Sequence, residues 1–281
     1  MANYDSSHTG AVIDAAVTSV VAVDPVTTAT SNLGLGSTAL DSLTAEAGNY
    51  NVAVGINAGT ALTTGLNNVA VGYNALYQGT TESDDNVAIG YNAMSGAIGT
   101  EQVNDCVAIG SGALAGALDS TDGADEASGT VAIGKAAGAA LTDGAGNTFI
   151  GYNAGTANTV GQKNTAVGNG ALLGCVDGDH NTAIGYQALE DFEGGDGEGG
   201  NTCVGYNAGK TISVGENNVA IGGAAMDTGV VTGDSNIAIG TAAGQDLTSG
   251  ESNVLIGHAA GTSLTTGETS IAIGHSAMTT H

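Results

Sequence analysis

Few residues in this sequence are of types that do chemistry, and their spacing follows a repeat rather than a catalytic site. Cys106, Cys175 and Cys203 are odd in number and contain no C-x-x-C pair, so they read as free small residues rather than a disulfide frame or a metal site. His258 and His275 each directly follow a glycine. Brought together, two such imidazoles can ligate a transition metal. Their column elsewhere holds Tyr73, Tyr91, Tyr152, Tyr186, Tyr206, Lys135 and Thr241, which reads instead as an outward ladder. Carboxylates gather in two insertions, one with Asp119, Asp122, Asp125 and Glu126, the other with Glu190, Asp191, Glu193, Asp196 and Glu198. Oxygen donors of this kind could ligate Ca²⁺, at Asp119, Asp122, Asp125 and Glu126, but neither insertion has an EF-hand or RTX pattern, so solvated loops and no cofactor are expected. The same insertions are candidate receptor-binding loops, because insertions in a repeat architecture emerge at its surface. GxSxG, Walker-loop and paired-histidine motifs are absent, and "GAGNTFIG" precedes no helix that could hold a phosphate. No catalytic residue is assigned and an enzyme is not expected.

Three Lys and Arg against 28 Asp and Glu leave a formal charge of -25. Clustered cations for phosphate contacts are therefore missing, which excludes nucleic acid as a partner and disfavours anionic membranes. No segment is long and apolar enough to be expected to insert in a bilayer. "MANYDSSHTG" has neither a basic start nor an apolar run, so synthesis in a cytoplasm without a signal peptide is expected. Hydrophobic residues make up 42% of the chain but aromatics only 4%, so any interior must be thin and lined by small aliphatic side chains.

What positions these residues is an internal repeat. Aligned on the glycine that closes each apolar triplet, the units end at Gly36, Gly55, Gly72, Gly90, Gly110, Gly134, Gly151, Gly168, Gly185, Gly205, Gly222, Gly240, Gly257 and Gly274. The base spacing is 17 residues, enough for short strands and turns but not for a helical repeat. The predicted fold is all-β: a parallel β-roll or β-solenoid of about fourteen 17-residue coils over residues 32–281, preceded by an attachment segment, residues 1–31.

Positions can be counted from the closing glycine. Val, Ile, Leu or Thr stand at −3 and −1, usually with Ala between them at −2; Ala stands at +3 throughout, and Asn at −4 in most units. β-branched residues stack well on pleated neighbours, so the −3 and −1 side chains are expected inside the coil, with the −2 methyl outside. The Asn column is expected to bond backbone in the coils above and below. At +4 stands either Leu or Met, or Gly, and the glycine units usually carry an apolar residue at +7, such as Leu62, Leu141, Ile212, Leu247 and Leu264, with Asn158 the exception. Both arrangements are expected to fill one core slot.

An outward alanine stripe would be too large an apolar surface for a monomer. Ala53, Ala70, Ala88, Ala108, Ala132, Ala166, Ala183, Ala220, Ala238 and Ala272 are therefore expected to meet sister chains about an axis parallel to the solenoid. Periodicity does not choose between two and three chains. The phrases "NVAVG", "NVAIG" and "NIAIG", each followed by x-x-Ala, resemble the head repeats of the YadA-type trimeric autotransporter adhesins. That resemblance covers residues 32–281 and implies a left-handed parallel β-roll, a homotrimer and a surface-binding habit. This sequence differs from the family in its 17-residue period and in lacking a recognisable signal peptide or C-terminal membrane barrel.

The segment "SSHTGAVIDAAVTSVVAV", Ser6 to Val23, carries Ile13, Val17 and Val20 at helical spacing. It resembles the "TGAEIDAAV" segment near the start of many bacteriophage tail-fibre proteins. A short helix over about 10–23 is expected, ended at Asp24-Pro25, serving either as an attachment helix or as a cap beneath the first coil. Together these readings point to a structural virion protein, a trimeric phage tail fibre or appendage. It would join other virion proteins through its N-terminus and support attachment to a host-surface glycan or protein. The alternatives are a capsid-surface decoration and a cellular trimeric surface adhesin.

Overall fold

The computed structural model describes residues 31–43, 49–78, 83–96, 103–118, 127–195 and 198–279. Fourteen three-residue strands form one all-parallel sheet in strict sequence order. They are β1 (Leu33–Leu35), β2 (Val52–Val54), β3 (Val69–Val71), β4 (Val87–Ile89), β5 (Val107–Ile109), β6 (Val131–Ile133) and β7 (Thr148–Ile150), followed by β8 (Thr165–Val167), β9 (Thr182–Ile184), β10 (Thr202–Val204), β11 (Val219–Ile221), β12 (Ile237–Ile239), β13 (Val254–Ile256) and β14 (Ile271–Ile273). Register never slips: Val69, Ala70 and Val71 pair with Val87, Ala88 and Ile89, and the same columns align in every pair. Insertions are therefore absorbed between strands. The product is a β-solenoid of about thirteen turns, and at the strand spacing of ~4.8 Å its sheet is on the order of 60 Å long. No helix occurs among the described residues. The helix expected over 10–23, with Ile13, Val17 and Val20, lies outside them, as does most of the proposed attachment segment.

The glycines follow from the same geometry. Gly72 has φ +136°, and a Cβ there would stand 2.5 Å from the carbonyl oxygen of Gly90 in the next coil. Equivalent glycines from Gly36 to Gly257 meet the next coil in the same way, while Gly274 in the last coil has open space, so the column admits no side chain wherever another coil follows. Three further positions in nearly every coil, −5, +2 and +4, lie in the left-handed region, for example Asn67 at φ 58°, Asn74 at φ 52° and Leu76 at φ 51°. Asn tolerates that conformation better than most residues, which accounts for Asn57, Asn74, Asn92, Asn153 and Asn207 at +2. From Leu40 to Met226 the Leu and Met side chains at +4 are buried, and Met278 in the last coil partly so, and that packing offsets the backbone strain.

The interior is the reverse of the sequence expectation. Ala53, Ala70, Ala88, Ala108, Ala132, Ala166, Ala183, Ala220, Ala238 and Ala272 are buried inside their own coils in a single chain, so none is available to a sister chain. Val69 and Val71 flank a buried Ala70 and are partly exposed, and strand after strand repeats this pattern. The physical reason is width. A coil of 17 residues closes on itself so tightly that a methyl, not an isopropyl group, fits beneath its strand. The signal was present in the sequence: −4 and −2 share a side of the strand, so an amide column bonding inside the coil brings the Ala column in with it.

Exceptions at −2 show how narrow the space is. Phe149, Cys203 and Leu255 are fully buried, and each belongs to a coil with Gly at +4. A Cβ on Gly155 would overlap the Phe149 ring, and one on Gly261 would lie 2.6 Å from a Leu255 methyl. The shared core slot is thus filled from three positions. It takes Leu or Met from +4 or an apolar residue from +7 (Leu62 lies against the site of a Gly59 Cβ); a larger residue at −2 stands beside the +7 side chain in the Cys203 and Leu255 coils and replaces it in the Phe149 coil. Asn158 stands where an apolar +7 residue is expected because Phe149 already fills its coil.

Candidate functional site

Two features are built column by column: the amide ladder inside and the sheet face outside. In the ladder each Asn side-chain oxygen accepts the backbone N–H of the Asn one coil on. Examples are Asn68 N–H to Asn51 Oδ1 at 2.8 Å and Asn181 N–H to Asn164 Oδ1 at 2.9 Å. The Nδ2 group donates to a turn carbonyl, as from Asn68 to Ser83 and from Asn164 to Gly178, both 2.8 Å. A buried amide with all its groups engaged stabilises the coil, whereas an unpaired one would cost about 1–3 kcal/mol. Where Thr130 replaces Asn, its hydroxyl accepts from the Asn147 N–H at 3.3 Å. This column is structural, and its polar atoms are occupied.

The outward face is formed by the −3 and −1 columns. It runs the length of the sheet and carries no Asp, Glu, Lys or Arg in any of the fourteen strands, in a chain with 28 acids. Ile89, Ile184, Ile221, Ile271 and Ile273 are exposed on it, Ile271 to 69%. Beside it stands the +1 column, an outward ladder as expected. Tyr73 stacks on Tyr91 and Tyr186 on Tyr206, each with centroids 5.5 Å apart, and the Lys135 ammonium lies 5.7 Å from the Tyr152 ring centroid. His258 and His275 continue the ladder, with centroids 4.9 Å apart and planes 10° apart. Near-parallel rings set their nitrogens side by side rather than converging on one point.

The acidic insertions divide. Asp119, Asp122, Asp125, Glu126 and Asp196 lie outside the described residues. Glu190 is held by the Lys210 ammonium at 3.1 Å and by Gln187 Nε2 at 2.6 Å. Burial, and then the Glu190 carboxylate beside it, raises the pKa of Asp191 above the usual carboxylate value. The Glu193 N–H bonds the Ser213 carbonyl at 2.7 Å. Between them Phe192 is fully buried, so this loop is anchored into the core by a residue that sequence reasoning passed over. The signal was its rarity, since the chain has two Phe and both fill the interior. Among the described residues no three His, Cys, Asp or Glu side chains gather as a metal site. The cysteines are buried, and desolvation pushes the thiols of Cys106 and Cys175 up to about 11 and that of Cys203 to about 12. Such thiols are poor nucleophiles near neutrality.

Comparison with protein-family models, with curated proteins and with solved structures finds no match.

Proposed function

We propose that this chain is a structural virion protein, the rod of a homotrimeric phage tail fibre or related appendage. Residues 1–31 would attach it to other virion proteins, and the rod would support adsorption to a host surface. The observation that carries this reading is the long, uncharged outward face of the parallel sheet. Val and Ile there replace Ala as the surface through which copies meet. Three-residue strands make the face roughly 10 Å wide and on the order of 60 Å long, about 600 Å² per copy. That approaches the ~800 Å² per partner of a stable interface and reaches the upper end of the apolar patches that monomers expose. Charge segregation supports the same reading: the acids lie elsewhere on the coil, where they keep assembled rods apart in solution. The sequence resemblance to trimeric adhesin heads suggests three chains, and the N-terminal resemblance to tail fibres suggests the virion.

Light-scattering mass of the purified chain tests the assembly, and a stable soluble monomer would sink it. Adsorption to candidate host cells tests attachment. One variant would lack 119–126. A second would carry Glu193→Gln and Glu198→Gln, sparing Phe192 and the coil it anchors. Loss of adsorption in either variant identifies a receptor loop, and no adsorption by the intact protein leaves a spacer role.

A further inference from the structure

The outward face is not uniform. Along its −3 column β2 to β6 present Val and β11 to β14 present Val or Ile, but β7, β8, β9 and β10 present Thr148, Thr165, Thr182 and Thr202. These four are direct neighbours across three successive strand pairs, and all are partly exposed. None of their hydroxyls is hydrogen-bonded within the described chain. Several threonines on other parts of the coil behave differently: the hydroxyls of Thr60, Thr142, Thr156 and Thr248 all donate to backbone carbonyls of adjoining coils, although that of Thr64 has no partner among the described residues. Nor does the coil itself require a hydroxyl at −3, since Val occupies the same place in β3 and β6 with the same burial pattern. Four hydroxyls in consecutive rows of an otherwise apolar face, bonded to nothing within the described chain, are open to a partner outside it.

We infer that this threonine band is a matching element through which copies of the chain pair like with like and therefore in register. The inference rests on the proposed self-association and deepens it. An apolar parallel face repeating every coil is degenerate, because sliding one copy along another by one coil replaces Val and Ile contacts with nearly identical ones. The band removes that degeneracy. In register, hydroxyls meet hydroxyls and can bond across the interface. A slip of one coil sets one end row against Val131 or Val219 and leaves hydroxyls facing methyls, where an unpaired polar group is penalised. A single buried polar position sets register in coiled coils for the same reason. The neighbouring −1 column, Ile150, Val167, Ile184 and Val204, stays apolar, so the band keeps the adhesive half of its surface.

The test co-expresses the full chain, carrying one mass tag, with a second copy carrying another, and reads oligomer composition by native mass spectrometry. Two unaltered copies should mix at the binomial proportions. Against a T148V/T165V/T182V/T202V copy, mixed oligomers should fall about tenfold below those proportions, while each chain alone keeps its oligomeric mass. Binomial mixing with the altered copy overturns the band as a matching element and leaves the oligomer standing. A monomeric unaltered chain overturns the oligomer itself, and the band with it. Should the fourfold variant fail to fold, T165V/T182V repeats the comparison with a smaller depletion expected, and binomial mixing there overturns the inference equally.

Discussion

The two sides of each strand obey opposite rules although their residues alternate within three positions. Inward, at −4 and −2, the column is Asn and Ala; each amide group bonds a named partner, and each methyl fills a space that admits little more. Outward, at −3 and −1, the column is Val, Ile or Thr, partly exposed and free of charge. The inner side closes one chain on itself, and the outer side is left for something else. Substitutions inside should therefore change folding, and substitutions outside should change assembly.

The largest effect is expected where the core slot is filled from an unusual position. Phe149→Ala empties space between Gly138 and Gly155 and should destabilise the chain by about 3–5 kcal/mol in denaturant unfolding. Gly155→Leu alone should also destabilise, since its side chain would collide with Phe149 and its φ is +57°. Together they recreate the commoner coil, Ala at −2 with Leu at +4. The double variant should be more stable than the sum of the two losses predicts, and simple additivity would refute the shared slot. Next comes Asn164→Ala, which strips acceptor and donor from the Asn181 N–H and the Gly178 carbonyl; about 3 kcal/mol of stability should be lost.

The comparison is sharpest within one strand. Ala166→Leu overpacks a coil already holding Leu172 and should cost about 1–3 kcal/mol. Val167→Lys, one residue on, should leave the unfolding midpoint of the isolated coil nearly unchanged and lower the light-scattering mass. If Val167→Lys unfolds the chain while Ala166→Leu is silent, the two sides have been assigned the wrong way round. The smallest expected effect is on pH. The folded-state pKa of Cys106 and Cys175 is raised from 9.0 to about 11, so the folded chain holds these protons more tightly than the unfolded one. Their effect on stability is absent below pH 9, and stability declines as pH rises from about 9 to about 11. A C106A/C175A variant should lose about two-thirds of that decline, the rest belonging to Cys203, whose thiol is pushed up to about 12, and in the native chain a thiol reagent at pH 8 should find Cys106 and Cys175 unreactive.

Much of this was legible in the residues themselves. The 17-residue period, the strand triplets, the Asn ladder, the small +3 column and the outward aromatic ladder all follow from identities at fixed offsets. Each of those columns is constrained by its own chemistry: glycine by φ, Asn by its amide, Ala by size. Phe192 was harder to read, because one anchored aromatic inside an acidic insertion leaves no periodic mark.

The sequence by itself determined a one-dimensional object, a stack of near-identical coils with invariant columns, because parallel pairing at constant register forces like residues onto like. Alternation divides a strand into two sets of side chains and groups the −2 alanines with the −4 amides, but whether that side lies inside depends on the width of the coil. That was decided only when the chain closed on itself. The width of a 17-residue coil leaves room for amides and methyls beneath the strand, and it turns the larger β-branched residues outward.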